Sequence, residues 1–210
     1  NRAQLEGTAR VPAALIPALN AVSERWLGYA GEAPTLEKAP QLAMDFSDRP
    51  NPKATWTTAG KSRLSQTVVA AVQKRGLGGV NPSQIAVLVP THKDGLALEP
   101  GFAKAGIETC SLCTPDPDHD RSGKHAFWRL DSRLKLSTVH SFKGWEADVV
   151  VVLLPALPPD QRTRELLHVA LTRSRAVVDV VAPSGGVDLS AWAHRDGQTL
   201  RADVPVPDPV

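Results

Sequence analysis

The sequence predicts an α/β domain built on a parallel sheet with helices on both faces. Three observations predict it. Residues 85–89, 148–154 and 176–182 are apolar apart from Asp148 and Asp179 and alternate too little to have a wet side, as expected of strands buried on both faces. Segments of helical period alternate with them, the order of a layered α/β fold. Polar residues carrying His, Lys, Glu and Arg flank the same runs, and in such sheets ligands sit at the carboxyl ends of the strands. By that rule 140–146 and the residues after Val89 share one working edge.

The elements follow in order. Residues 12–27 place Leu15, Leu19, Val22 and Trp26 at steps of four, three and four, one apolar face of a helix with Pro12 in its first turn. Gly28 and Gly31 end it. Residues 32–55 are rich in Pro, Asp and Lys without period and read as loop, with a short strand near 54–57. A second helix over 62–75 turns Leu64, Val68, Ala71 and Val72 inward and stops at Gly76, Gly78 and Gly79. After the strand at 85–89 comes a helix over 94–105, interrupted in the middle by Pro100 and Gly101 and capped by Gly106. A strand over 107–112, a polar loop over 114–132 and strands at 134–138, 148–154 and 176–182 complete the sheet. A helix over 160–175 joins the last two. Past Pro183 apolar residues thin out, and P-V-P-D-P-V closes a frayed tail.

Composition bounds the function. The 210 residues suit one compact domain, and 24 basic against 22 acidic residues give a net charge of +2, which neither requires nor forbids nucleic acid. No window is long enough to span a bilayer, so no membrane role is expected. Two cysteines without a disulfide framework suit a reducing, cytoplasmic setting. The chain opens at Asn1 without methionine or signal peptide, which predicts a piece of a longer protein with working parts missing.

Two segments carry chemistry. In S-T-V-H-S-F-K-G-W-E (137–146), His140, Lys143 and Glu146 recur every third residue around Gly144. The glycine permits close backbone approach to a phosphate or base, and the lysine adds charge. The histidine can donate to a phosphodiester or stack under a base, and Glu146 can accept from a sugar hydroxyl. A tight strand connection with solvated charges explains the same residues. In L-L-H-V-A-L-T-R-S-R (166–175), Leu167, Ala170 and Leu171 should face the sheet, and Arg173 closes the helix. An arginine there complements the helix dipole, or it offers positive charge to a phosphate bound by a neighbouring domain.

Together these segments resemble motifs V and VI of the UvrD/Rep-type superfamily 1 helicases. L-E-G-T-A-R (5–10) is similar to that family's motif IV, and the likeness runs in family order from about Leu5 to Ala182. The resemblance implies a RecA-like second motor domain over 1–183 followed by a tail over 184–210: a P-loop NTPase-like fold lacking its own P-loop. It would close over ATP and Mg held mainly by an N-terminal motor domain of the same parent protein. Arg10 and Arg173 would reach the terminal phosphate and Glu146 the ribose, with Lys143 and Gly144 beside it. Thr138 and His140 would touch single-stranded DNA. Alone, the chain should not hydrolyse ATP.

Four departures stand out. Ala9 replaces a tyrosine that stacks on adenine in the family, His168 a tyrosine and Trp145 a leucine. The accessory subdomain that often precedes motif V shrinks to a loop near 113–133. Ala9 and the weak motif IV also suit a helicase-like module that has lost catalysis and binds nucleic acid or protein. Gly60-Lys61-Ser62 imitates the end of a phosphate loop, but Thr55 stands where the first glycine is needed and no buried strand leads in. Cys110-x-x-Cys113 with His119 and His125 matches neither finger nor ribbon spacing, and no helix start follows for redox work. Small thiols on or beside a buried strand explain the pair better, and no metal is expected.

Overall fold

The computed structural model describes residues 53–114, 131–154, 168–170 and 172–184. The expected motif IV with Arg10, the first helix, the loop bearing His119 and His125, and the tail lie outside the described residues. Six strands form one sheet: β1 (Lys53–Ala59), β2 (Ile85–Val89), β3 (Thr109–Ser111), β4 (Leu134–Thr138), β5 (Ala147–Leu153) and β6 (Ser174–Pro183). Their order is β1-β6-β5-β2-β4-β3, and every pairing is parallel. The fold is therefore α/β and RecA-like, as expected. All five residues of β2 and all five of β4 are buried, because strands inside a parallel sheet are covered on both faces.

Two helices cover one face. α1 (Leu64–Leu77) follows a single 3-10 turn, and α2 (His92–Lys104) follows Thr91, whose hydroxyl accepts the Asp94 N–H at 3.2 Å. That N-cap starts α2 two residues before the sequence pattern does. Pro100 lies inside α2 without breaking it, on an exposed position. Val68, Val69 and Val72 of α1 and Leu98 and Phe102 of α2 pack on Val87, Val89, Leu136, Val149 and Val151. The opposite face carries Phe142, Val139 and Ala170 against Ala86, Leu88, Val150, Val152, Val178 and Val180.

Several boundaries move for physical reasons. β1 runs the full seven residues beside β6, although threonines and a lysine hide it from a hydropathy reading. β3 shrinks to three residues at the sheet's edge. The last helix ends at Arg173, and Ser174 and Arg175 join β6.

One buried charge cluster ties layers together. Asp179, 5% exposed in the middle of β6, accepts Nε of Arg75 at 2.6 Å and also its second guanidinium nitrogen. The Thr55 hydroxyl donates to the same carboxylate from β1. Helix α1, the edge strand and β6 thus converge on one carboxylate whose burial requires such partners.

Candidate functional site

Parallel strands give the sheet two chemically distinct rims, and the candidate residues divide between them. On the carboxyl rim the chain leaves β4 through successive turns. Thr138 is buried, and its hydroxyl accepts the Ser141 N–H at 3.2 Å. Its carbonyl accepts the Phe142 N–H at 3.1 Å, the His140 carbonyl that of Lys143 at 3.3 Å, and the Phe142 carbonyl that of Trp145 at 3.0 Å. Phe142 is buried and Trp145 half-buried, both packed into the core. With those rings inward, His140, Lys143 and Gly144 are exposed. Gly144 has φ +93, a conformation that costs a residue with a side chain about 1–2 kcal/mol. The turn itself thus gives a backbone reason for this glycine.

Glu146 does not share that rim, contrary to the expectation for 140–146. It immediately precedes β5, so it sits on the amino rim, as does Arg173 immediately before β6. The chain crosses the sheet between His140 and Glu146 because a parallel strand must restart at the opposite edge. On this rim Nε and Nη2 of Arg175 both donate to Oε2 of Glu146 at 3.1 Å. Asp148 accepts Gln84 Nε2 at 3.1 Å through Oδ2. Among the described residues, Asp148 Oδ1 and Arg173 Nε are buried polar atoms without a hydrogen-bond partner. His168 is half-buried in the helical turn before Arg173, and desolvation pushes its pKa below the ordinary value. Arg175, Ser174 and Asp148 were not singled out from sequence. Arg175 had a signal, since it lies two residues beyond Arg173 in the same basic segment.

A second polar group marks the amino rim at β4. Hydrogen bonds from Arg133 hold the Asp131 carboxyl well below the usual carboxylate range. Lys135, buried, donates to the carbonyls of Asp131 at 2.7 Å and Arg133 at 2.8 Å.

The two cysteines belong to opposite core layers, Cys110 with Leu88 and Phe142, Cys113 with Leu98 and Val89. Neither is in a disulfide, and burial raises the Cys110 pKa. Among the described residues no group of three or more His, Cys, Asp or Glu could hold a metal ion. A strand does lead into Gly60-Lys61-Ser62, but β1 is an edge strand in which, among the described residues, only Ala54 and Ala59 are buried, so no buried strand precedes it. Only Gly60, extended at φ −60, separates β1 from the 3-10 turn at Lys61, too short a connection to wrap a phosphate in backbone N–H groups.

Residues 134–181, which span the carboxyl-rim turn and the Arg173 segment, match the family model of the UvrD-like helicase C-terminal domain. The chain is also similar in structure to the C-terminal domain of a possible DNA helicase from Lactobacillus plantarum WCFS1, at TM-score 0.53 and 15% identity. That likeness covers 92% of this chain and 96% of the other. A second similar structure is the C-terminal domain of the DEAD-box protein Dbp5, at TM-score 0.47 and 14% identity, covering 66% of this chain and 79% of that one. No curated protein matches the chain. The matched segment is thus similar to a UvrD-type helicase C-terminal domain, and the structural likeness supports the same fold for the chain. No described helix is long and apolar enough to cross a membrane.

Proposed function

We propose that this domain is the second motor half of an ATP-dependent DNA helicase or translocase. It closes over a nucleotide held, with Mg, by an N-terminal motor domain. The observation that carries the reading is Arg173, fixed at the start of β6 with a buried Nε lacking a protein acceptor among the described residues. A half-buried arginine whose Nε is an unused donor suits an outside phosphate, which would supply the missing acceptor. Glu146 lies on the same rim and can take a ribose hydroxyl. Arg10 is assigned to the same phosphate by resemblance alone.

His140, just past the end of β4 on the other rim, and the exposed Lys143 and Gly144 on the crossing that follows, expected beside the ribose by resemblance, offer a weakly basic, sterically open turn to single-stranded DNA. Thr138 would contribute through the turn it caps, since its own hydroxyl is engaged. Nucleotide and strand would then address opposite rims, and closure at one would be felt at the other through the chain that joins them. In the phosphoryl-transfer step Arg173 would neutralise charge developing on the transferred group.

The test is Arg173→Ala in the protein joined to its nucleotide-holding domain. Such arginines contribute about 10³-fold or more to turnover, so DNA-stimulated ATP hydrolysis should fall by that order while DNA binding persists. Unchanged turnover refutes the role.

A further inference from the structure

The pairing of β5 with β6 is irregular where both strands begin. Ala147 pairs with Ser174 and Val149 with Val177, so β5 advances by two residues while β6 advances by three. The extra residue is a β-bulge, a device that re-aims side chains and recurs beside functional sites. Its effect shows in the packing, because the consecutive residues Ala176 and Val177 both join the cluster under α1. Regular alternation cannot do that. Counting back from Val177, an unbulged β6 would send Arg175 toward α1. The bulge turns it to the other face, where Phe142 and Trp145 pack and where the turn delivers Glu146.

Ser174 holds the bulge in place. Its hydroxyl donates to the Val177 carbonyl at 2.8 Å and accepts the Ala176 N–H at 3.3 Å, bridging the residues whose regular pairing the bulge disrupts. The result is the pair in which two donors of Arg175 meet a single oxygen of Glu146. Both side chains are about three-quarters shielded, at 26% and 22% exposed. A pair so placed is less screened than one on the open surface, and two donors on one oxygen restrict the carboxylate's rotation.

We propose that Arg175 positions Glu146 for a nucleotide ribose hydroxyl, aimed there by the Ser174-braced bulge in β6. Arg175 does not touch the nucleotide. It fixes the carboxylate that does, and it ties the start of β5 to a point two residues beyond Arg173. This rests on the reading of Glu146 as the sugar contact.

The experiment compares ATP with 2′,3′-dideoxy-ATP in the protein joined to its nucleotide-holding domain. It uses the unmodified sequence, Glu146→Gln, Arg175→Met and Arg175→Gln, with thermal melting as the folding control. The unmodified protein should show a KM about tenfold lower for ATP than for the dideoxy analogue, the worth of one hydrogen bond to a charged group. Glu146→Gln should reduce that ratio toward one. Arg175→Met should reduce it similarly by raising KM for ATP, with kcat moving less. Arg175→Gln, which is shorter but keeps a neutral donor near the place of Nε, decides the matter if the Met variant fails to fold, and it should lose at least half of the discrimination. If the unmodified protein does not distinguish the two nucleotides, the sugar-contact reading of Glu146 fails. If it does, and Glu146→Gln abolishes the difference while a folded Arg175 variant retains all of it, the positioning role alone is overturned.

Discussion

Replacing Asp179 by asparagine should be among the most damaging conservative changes this domain can suffer. The carboxylate and the Arg75 guanidinium are 7% and 8% exposed, so the substitution strands a buried cation with a neutral amide that can satisfy only part of it. Removing one partner of such a pair costs about 3–5 kcal/mol, because the survivor keeps its desolvation penalty. Removing the charge from both sides should cost far less. Arg75→Met with Asp179→Leu and Thr55→Val eliminates the cation, the carboxylate and the hydroxyl that donates to it, leaving apolar groups of similar bulk. Such swaps are often neutral or stabilising by about 1–4 kcal/mol. Urea unfolding followed by tryptophan fluorescence reads the difference, Trp56 on β1 lying next to Thr55. With an m-value of about 2 kcal/mol/M, the single change should lower the midpoint by about 2 M, and the triple change should recover most of it. A midpoint for Asp179→Asn within about 0.3 M of the original would refute the reasoning. So would a triple variant as unstable as the single one.

Gly95 of α2 sits against Cys113, so a Cβ there would come within 2.2 Å of the thiol sulfur and 2.6 Å of its Cβ. Gly95→Ala should therefore destabilise by about 1–2 kcal/mol, overpacking outweighing the gain in helix propensity; adding Cys113→Ala should recover only part, because the closer atom goes and the other stays. His168 supplies a pH dependence. Its folded pKa lies below the ordinary 6.5 because burial disfavours the imidazolium, so below that pH the unfolded chain binds more protons. Stability is fully present above about pH 6.5 and is lost as pH falls toward the folded value. Melting temperatures between pH 7.5 and 5 should decline, and a His168→Phe variant should decline less over that window. Asp131 extends the trend further into acid. Its carboxyl is held low by Arg133, so its contribution persists above the ordinary carboxylate value and is lost below it. An Asp131→Asn variant should flatten the melting profile below about pH 4.

The apolar runs made β2, β5 and most of β6 readable, because a strand covered on both faces leaves nothing for hydropathy to mistake. β1 was less legible, since Thr55, Thr57 and Thr58 of an edge strand resemble a loop until β6 is seen beside them. The split of the candidate site was legible in principle: once the strands are parallel, Glu146 must restart at the far edge from His140, whatever their spacing in sequence. The bulge was not, because it arises from the register between β5 and β6 and has no signature in either strand alone. Asp179 did announce itself, as one carboxylate in a run of valines, but its partner Arg75 lies 104 residues away and only the packing of α1 brings it near. The cysteine pair shows the converse. Close spacing suggests cooperation, yet the pleat sends the two thiols to different layers.

The connection from β4 to β5 passes over β2 in residues 139–146, with no helix to take up length. Two strand spacings sideways and a return along five residues make a direct span of about 19 Å, and the nine virtual bonds available reach at most about 30 Å. Rising clear of the sheet and forming the turns at Ser141–Trp145 consumes much of the difference. The turns at 139–144 therefore hold in reserve about 11 Å of reach. A one-residue deletion there is taken up by opening a turn, whereas the same deletion inside β5 would reverse the strand's inward and outward sides.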